Sequence, residues 1–385
     1  MSDRGGSRSV RLIEVAAQWG RVGCTGFGGP PAHIAMLRGL CVDDKRWLTA
    51  HEFEDAVAAC NLMPGPASTQ LAIFCAWRVA GPIGAVVGGA AFIVPGLVAI
   101  VLLAALFLAG SPPVWVRGAG AGAGAAVAAV AVRAGIGLVP ESWSRAAARW
   151  RWLVYAALGG VAAATVGPWL VLVLLGCGVV EVLWRRPGGS DGVGVHIWPV
   201  ATAGTVATGG LLALAWVAFK VGALAYGGGF VIIPLMQADA VHAYHWMTNI
   251  EFLNAVALGQ VTPGPVTHTV AVVGYAAYGV GGAVFATLVA FLPSFSFVLL
   301  GASRFDALRH NARVRSFLGG AGPAAVGAII GVAIPLAYAL EECWQLAVLA
   351  GAVVALFVFR RGVVATLLAA GIAGVVAALL GAPLP

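Results

Sequence analysis

"CNLMPGPASTQL" (60–71) sets Pro-Gly-Pro in the middle of an apolar run, and "GQVTPGPVTHTV" (259–270) repeats the pattern 199 residues later. Proline removes a backbone donor and clashes with the preceding turn, and glycine is the next worst helix former. Each motif therefore ends one helix and starts another. A helix restarting after such a break exposes N–H groups with no intrahelical acceptor, at the positive end of its dipole. In membrane carriers, half-helix starts of this kind near the bilayer midplane receive anions. Ser68, Thr69 and Gln70 follow the first break, and Thr267, His268 and Thr269 the second. Taken singly, either motif reads as a kink whose hydroxyls bond their own backbone. Their recurrence at matched positions favours a site.

Composition fixes the class. The chain has 385 residues, 61% hydrophobic and 10% charged, with mean hydropathy +0.95. Soluble chains carry about 25% charged residues. Apolar stretches of the length needed to span a bilayer tile the chain, as at 84–110, 152–184 and 362–380. No short apolar core with a small-residue cleavage site follows the basic N-terminus, so no cleaved signal peptide is read. An all-α polytopic membrane protein is expected, with the lipid bilayer as its surroundings. The net charge of +7 comes from single or paired bases between apolar spans. It is read as membrane topology and not as nucleic-acid binding. The six cysteines form no C-x-x-C pair, so neither a metal site nor a cofactor is expected. "GAGAGAGAA" (118–126) is read as a helix-packing surface.

The chain repeats itself. Shifted by 199 residues, "RVGCTGFGGPPAHIAML" lies over "KVGALAYGGGFVIIPLM", and "RWLTAHEFEDAVAACNLMPGP" over "HWMTNIEFLNAVALGQVTPGP". One residue then drops out, bringing Gly84-Ala85 onto Gly282-Ala283, before the shift of 199 resumes at Ala125/Ala324. Two copies, 1–187 and 195–385, are expected on either side of a polar linker at 188–194. Arg4, Arg8, Arg11, Arg145, Arg149, Arg151, Arg185 and Arg186 suit a cytoplasmic side. Placing Arg304, Arg309, Arg313, Arg315, Arg360 and Arg361 there too requires the second copy to run upside down. The apolar segment around 196–210 then supplies an odd crossing. The expectation is an inverted repeat with broken helices and roughly 12–13 transmembrane segments.

Glycine loops provide a second device. "GFGGP" (26–30) and "AYGGGF" (225–230) allow close backbone approach. Seven residues before each Gly-Gly stands a base, Arg21 or Lys220, inside an apolar stretch. An intramembrane charge is a functional hypothesis by default. Lys220 is read that way, and Arg21 is left between function and snorkelling. Glu52 and Glu251 fall in S/T-x-x-E capping boxes behind Trp47 and Trp246, which explains them better than proton carriage. Asp55, matched by Asn254, and His268 are the candidates for proton coupling. His33 reads equally well as an ordinary loop histidine.

"FGGPPAHIAMLR", "DDKRWLTAHEFEDAVAACNLMPGPASTQLA", "YGGGFVIIPLM" and "LGQVTPGPVTHTVAVVGY" resemble the chromate ion transporter family in its long two-domain form, over essentially the whole chain. Its motifs map onto Arg21, Phe27, Gly28, Gly29, Pro30, Pro64, Gly65, Pro66 and Gln70. In the second copy they map onto Lys220, Gly227, Gly228, Thr262, Pro263, Gly264 and Pro265. One departure is "GGGF" where a second-half member often has "FGG" and a small residue. The resemblance implies a bacterial inner-membrane carrier that exports chromate, driven by membrane potential or proton gradient, and confers chromate resistance. Sulfate, another tetrahedral dianion, is the runner-up substrate. A homodimer is compatible with these features. An intramembrane enzyme is disfavoured, because no dinucleotide fingerprint or Cys/His cluster is present. A passive channel fits paired broken helices less well than alternating access.

Overall fold

The computed structural model describes residues 11–61, 63, 65–165, 169–185, 210–225, 232–301 and 311–385. No strand occurs among the described residues, as expected where a bilayer leaves backbone groups no water to bond. Among the described residues, four helices are long and apolar enough to cross a membrane: 67–107, 114–144, 266–301 and 312–338. The chain is an all-α, multi-pass membrane protein.

The N-terminal part of the first copy folds back on itself twice. Helix α1 (Leu12–Thr25) stops at Gly26, and α2 (Pro30–Arg38) restarts with Pro30 and Pro31 at its first turn. Proline is suited there, where its missing N–H has no partner to lose. A π-turn, Gly39–Asp44, extends α2. Lys45 Nζ then meets Glu14 Oε1 at 2.8 Å and Trp47 stacks on Trp19, so the two arms end together. Residues 26–29 are the tip of this hairpin. A second hairpin is made by α3 (Ala50–Cys60) and the start of α4 (Ala67–Phe107). The Glu52–Arg78 salt bridge joins its open end, and the Pro-Gly-Pro stretch is its tip. The break is thus a reversal, not a kink in one spanning helix.

Helix α4 itself turns back at Ala80 (φ −139°) and Gly81 (φ +69°). Beyond the turn Gly84 lies against Ala76 and Ala80, and Gly89 against Ile73. Residues 82–107 therefore run antiparallel to 67–79 and continue for about 39 Å in all. The second copy repeats these devices. Helices α8 (Leu211–Leu224), α9 (Ile232–Gln237, with the π-turn Ala238–Ala243) and α10 (Asn249–Val261) precede α11 (Thr269–Gly301), which turns back at Tyr278 and Gly279. Both expected capping boxes form, Thr49 with Glu52 and Thr248 with Glu251.

Equivalent helices of the two copies run in opposite directions. Gly89 faces Phe295, whereas Gly96 faces His268, whose ring packs on Phe291. Moving forward along α4 is moving backward along α11. Helix α5 (Val114–Ser144) and its counterpart α12 (Ala312–Gly331, followed by α13, Ala333–Tyr338) obey the same inversion. Gly135, toward the end of α5, packs on Ile330 of α12, while the last turns of α5 and the first turn of α12 line one cavity.

The C-terminal hairpins are exchanged between the copies. Helices α6 (Arg149–Thr165) and α7 (Leu170–Arg185) pack on α12, whereas α14 (Cys343–Val353) and α15 (Val363–Leu379) pack on α5. Small residues permit this. A side chain at Gly122 would lie 2.2 Å from the Ala370 carbonyl, and one at Gly159 would lie 1.9 Å from that of Ala324. The glycine run 118–126 is thus a packing surface. The linker 188–194 and the segment 196–209 lie outside the described residues.

Candidate functional site

Both hairpin tips of the first copy and the Thr-Pro-Gly-Pro tip of the second meet at one place. His33, in the first turn of α2, is fully buried. Its Nε2 donates to the Gly26 carbonyl at 2.9 Å, which leaves Nδ1 of a neutral ring to accept from the Ser68 hydroxyl at 3.2 Å. This histidine ties the glycine tip to the helix that restarts after Pro-Gly-Pro. The Gly26 carbonyl also accepts from Gly264 N–H at 2.9 Å, tying the first copy to the second copy's Thr-Pro-Gly-Pro tip. Gly65 has φ +115°, and a side chain there would lie 2.6 Å from Gln70 Nε2 and 3.2 Å from the Gly222 carbonyl. Only glycine fits at this crossing.

A cavity of about 770 Å³ ends on these tips. Its inner end is formed by Gly28, Gly29, Gly65, Ala67, Gln260 and Val266, with Asn61 beside them. Its walls come from α5, through Arg133, Gly137 and Leu138, and from α12, through Gly322, Pro323 and Val326. Glu141, Arg145, Arg185 and Arg315 stand toward its mouth. Four arginines thus face one acid. Arg145 pairs with that acid, Glu141, at 3.3 Å, and Arg185 with buried Glu181 at 2.7 Å. Neither Arg133 nor Arg315 has an acid partner among the described residues. A concave surface of low-dielectric walls and one sign of charge focuses its field on the space it encloses.

Two helix starts reinforce that field, each bringing the positive end of its dipole to the cavity wall. In α4, Thr69 and Gln70 N–H both reach the Pro66 carbonyl, so Ala67 begins the helix at the cavity wall. Val266 occupies the corresponding place in the second copy. Gln260 Nε2 is buried without a hydrogen-bond partner among the described residues. Buried polar atoms are normally satisfied, so this amide is a donor open to a ligand in the cavity it lines.

Of the residues singled out in the sequence, Gly28, Gly29, Pro30 and Gly65 line the cavity. Phe27 is exposed at the first tip, and Pro66 caps α4. Ser68, Thr69, Gln70, Thr267, His268 and Thr269 are buried outside the cavity lining. Ser68 is engaged by His33, and Thr269 Oγ1 donates to the Val266 carbonyl at 2.9 Å. Thr262 bonds the Leu258 carbonyl, Pro263 and Gly264 lie against Gly96 and Gly26, and Pro265 begins the short helical turn 266–268. Arg21 is exposed on α1 and does not reach the cavity. Lys220 does not line it either, being held by a salt bridge to Asp239 over the Trp216 ring. Asp55 pairs with His51 at 3.0 Å midway along α3 and does not line the cavity. Pro64, Gly227 and Gly228 lie outside the described residues.

Sequence reasoning missed several residues of this place. Asn61 and Gln260 each stand three positions before the first proline of their motif, and both line the cavity. The matched amides were a readable signal. Arg133 was another, as a lone charge within "AAVAAVAVRAGIGLV". His33 is a buried tie between two tips, not a loop histidine.

The chain matches the family model "Chromate transporter" over residues 13–182 and again over 212–375. A chromate transport protein of Cupriavidus metallidurans is 31% identical over 82% of this chain and 80% of its own length. One of Pseudomonas aeruginosa is 29% identical over 94% and 91%. An uncharacterized transporter of Methanocaldococcus jannaschii is 25% identical over 85% and 84%. No solved structure matches the chain. Relatives named as transporters point away from an enzyme, and the doubled match to the family model accords with the doubled hairpin motif. The chain belongs to the chromate transporter family.

Proposed function

We propose that this chain is a secondary carrier that exports chromate from the cytoplasm across the bacterial inner membrane, conferring chromate resistance. The observation that carries the reading is the arginine-lined cavity ending on the paired half-helix starts. An oxyanion entering it exchanges water for guanidinium groups, the Gln260 amide and backbone N–H groups at helix N-termini. The names of the relatives supply the substrate, chromate. The buried polar residues around the tips, including His268, Thr69 and Ser294, form the layer through which a conformational change is transmitted. His268 is the better placed of the two proton-coupling candidates, since it sits in the turn that follows the Thr-Pro-Gly-Pro tip whereas Asp55 stands midway along α3.

Direction is argued from charge. Arg145, Arg185 and Arg315 share the mouth of the cavity, and such clusters favour the cytoplasmic side. The cavity then loads from the cytoplasm. An inside-negative potential assists a leaving dianion by about 4.6 kcal/mol per 100 mV, at about 2.3 kcal/mol per charge. Sulfate remains the second reading, because a site of guanidinium and N–H donors recognises tetrahedral dianions by shape and charge.

Flux of radiolabelled chromate into everted vesicles, with an uncoupler and with excess sulfate, tests the proposal. Energy-dependent accumulation weakly inhibited by sulfate is expected. Sulfate accumulation equal to or above that of chromate would transfer the substrate to the second reading. Absence of flux for both would end it.

A further inference from the structure

The cavity is built asymmetrically, although its scaffold is a repeat. Applying the 199-residue shift places Val332 at the position of Arg133 and Val116 at that of Arg315. Gly137 becomes Leu336, Glu141 becomes Leu340, and Arg145 becomes Trp344. Val332, Val116 and Leu336 are all fully buried. In an inverted-repeat carrier, equivalent parts of the two repeats build the two faces of the site. The face opposite this cavity therefore lacks both unpaired arginines. Arg117, one position beyond Val116, reaches the Pro385 carbonyl at 3.4 Å.

The two arginines differ from their neighbours in having no acid partner among the described residues. Arg145 and Arg185 are held by Glu141 and Glu181, but Arg133 and Arg315 are not so held. Arg133 is exposed to the cavity and stands eleven residues before the last residue of α5, about 16 Å along the helix. A cation that far along a membrane-spanning helix, open to a cavity and with no acid partner among the described residues, is placed to meet an anion.

We propose that Arg133 and Arg315 are the charged contacts that hold the oxyanion in this cavity. Their replacement by Val332 and Val116 on the opposite face makes the carrier bind tightly from the arginine side and hold the anion weakly, hence release it readily, on the other. The proposal rests on the oxyanion reading above and adds to it the residues that set affinity and its polarity.

The test is equilibrium binding of radiolabelled chromate, and separately of radiolabelled sulfate, to the purified full-length protein at fixed ionic strength. Arg133→Gln and Arg315→Gln are each expected to weaken binding about 10-fold or more, on the scale of a lost charge-assisted hydrogen bond. Arg133→Lys, which keeps the charge, is expected to stay within about 3-fold of the parent, consistent with a point-charge role. Chromate binding by both glutamine variants equal to the parent's overturns the proposal while leaving the carrier reading intact. If the parent holds sulfate and not chromate, and the variants lose it, the chromate assignment fails and the arginine assignment stands. A parent that binds neither anion overturns both. Where Arg133→Gln is not monodisperse, Arg315→Gln decides. In oriented vesicles, equal half-saturating concentrations from the two sides would refute the polarity.

Discussion

Gly65 concentrates the demands of the site on one residue. Its φ of +115° is strained for any L side chain, and an added methyl would meet Gln70 and the Gly222 carbonyl. Gly65→Ala is expected to destabilise the protein by about 1–3 kcal/mol and to abolish transport. Gly39→Ala is the contrast, because Gly39 is helical with nothing within 4 Å of the added atom. It should leave the melting temperature in detergent unchanged or slightly raised. Equal melting of the two variants would remove Gly65 from the tip crossing. The sequence made Gly65 legible, since Pro-Gly-Pro in an apolar run has few other uses. It did not make legible that Ser68 would be spent on His33, or that Lys220 would be neutralised by Asp239. Those pairings join residues distant in sequence, and no local pattern encodes them.

Elements were half legible for the same reason. The breaks and both capping boxes follow from local chemistry and from repetition, whereas the second bend, at Gly81 and Gly279, was not read from the sequence. That each break reverses the chain follows from the Glu52–Arg78 and Lys45–Glu14 contacts, which only the fold brings together. A cysteine pair tests the reversal. With Glu52→Cys and Arg78→Cys in one chain, oxidation should cross-link α3 to the 67–79 arm in intact membranes. Were the Pro-Gly-Pro only a kink within one spanning helix, these ends would stand on opposite faces, about 40 Å apart at 1.5 Å per residue. No cross-link would then form.

At the scale of the molecule, the two copies exchange their last hairpins, so neither carries a complete core. Chains 1–190 and 191–385 expressed separately should fail to accumulate in the membrane, whereas co-expression should restore both. Stable accumulation of either half alone would contradict the exchanged packing of α5 with α15 and of α12 with α6. Charge patterning made the inversion legible in the sequence, because arginines of both copies had to share a side. The cavity was not, because its walls come from α5 and α12, residues distant in sequence that only the inversion sets opposite each other.

The central claim is that this cavity is the cytoplasmic vestibule of the oxyanion path, and Gly137 offers direct access to it. It lines the cavity, and an added side chain there meets nothing within 4 Å. The measurement is labelling of Gly137→Cys by a membrane-impermeant thiol reagent, after the exposed Cys24 and Cys343 and the cavity-lining Cys60 are changed to serine. The account predicts labelling in everted vesicles, none in right-side-out vesicles, and protection by chromate. Labelling from the periplasmic side, or labelling from the cytoplasmic side that chromate leaves undiminished, would contradict it.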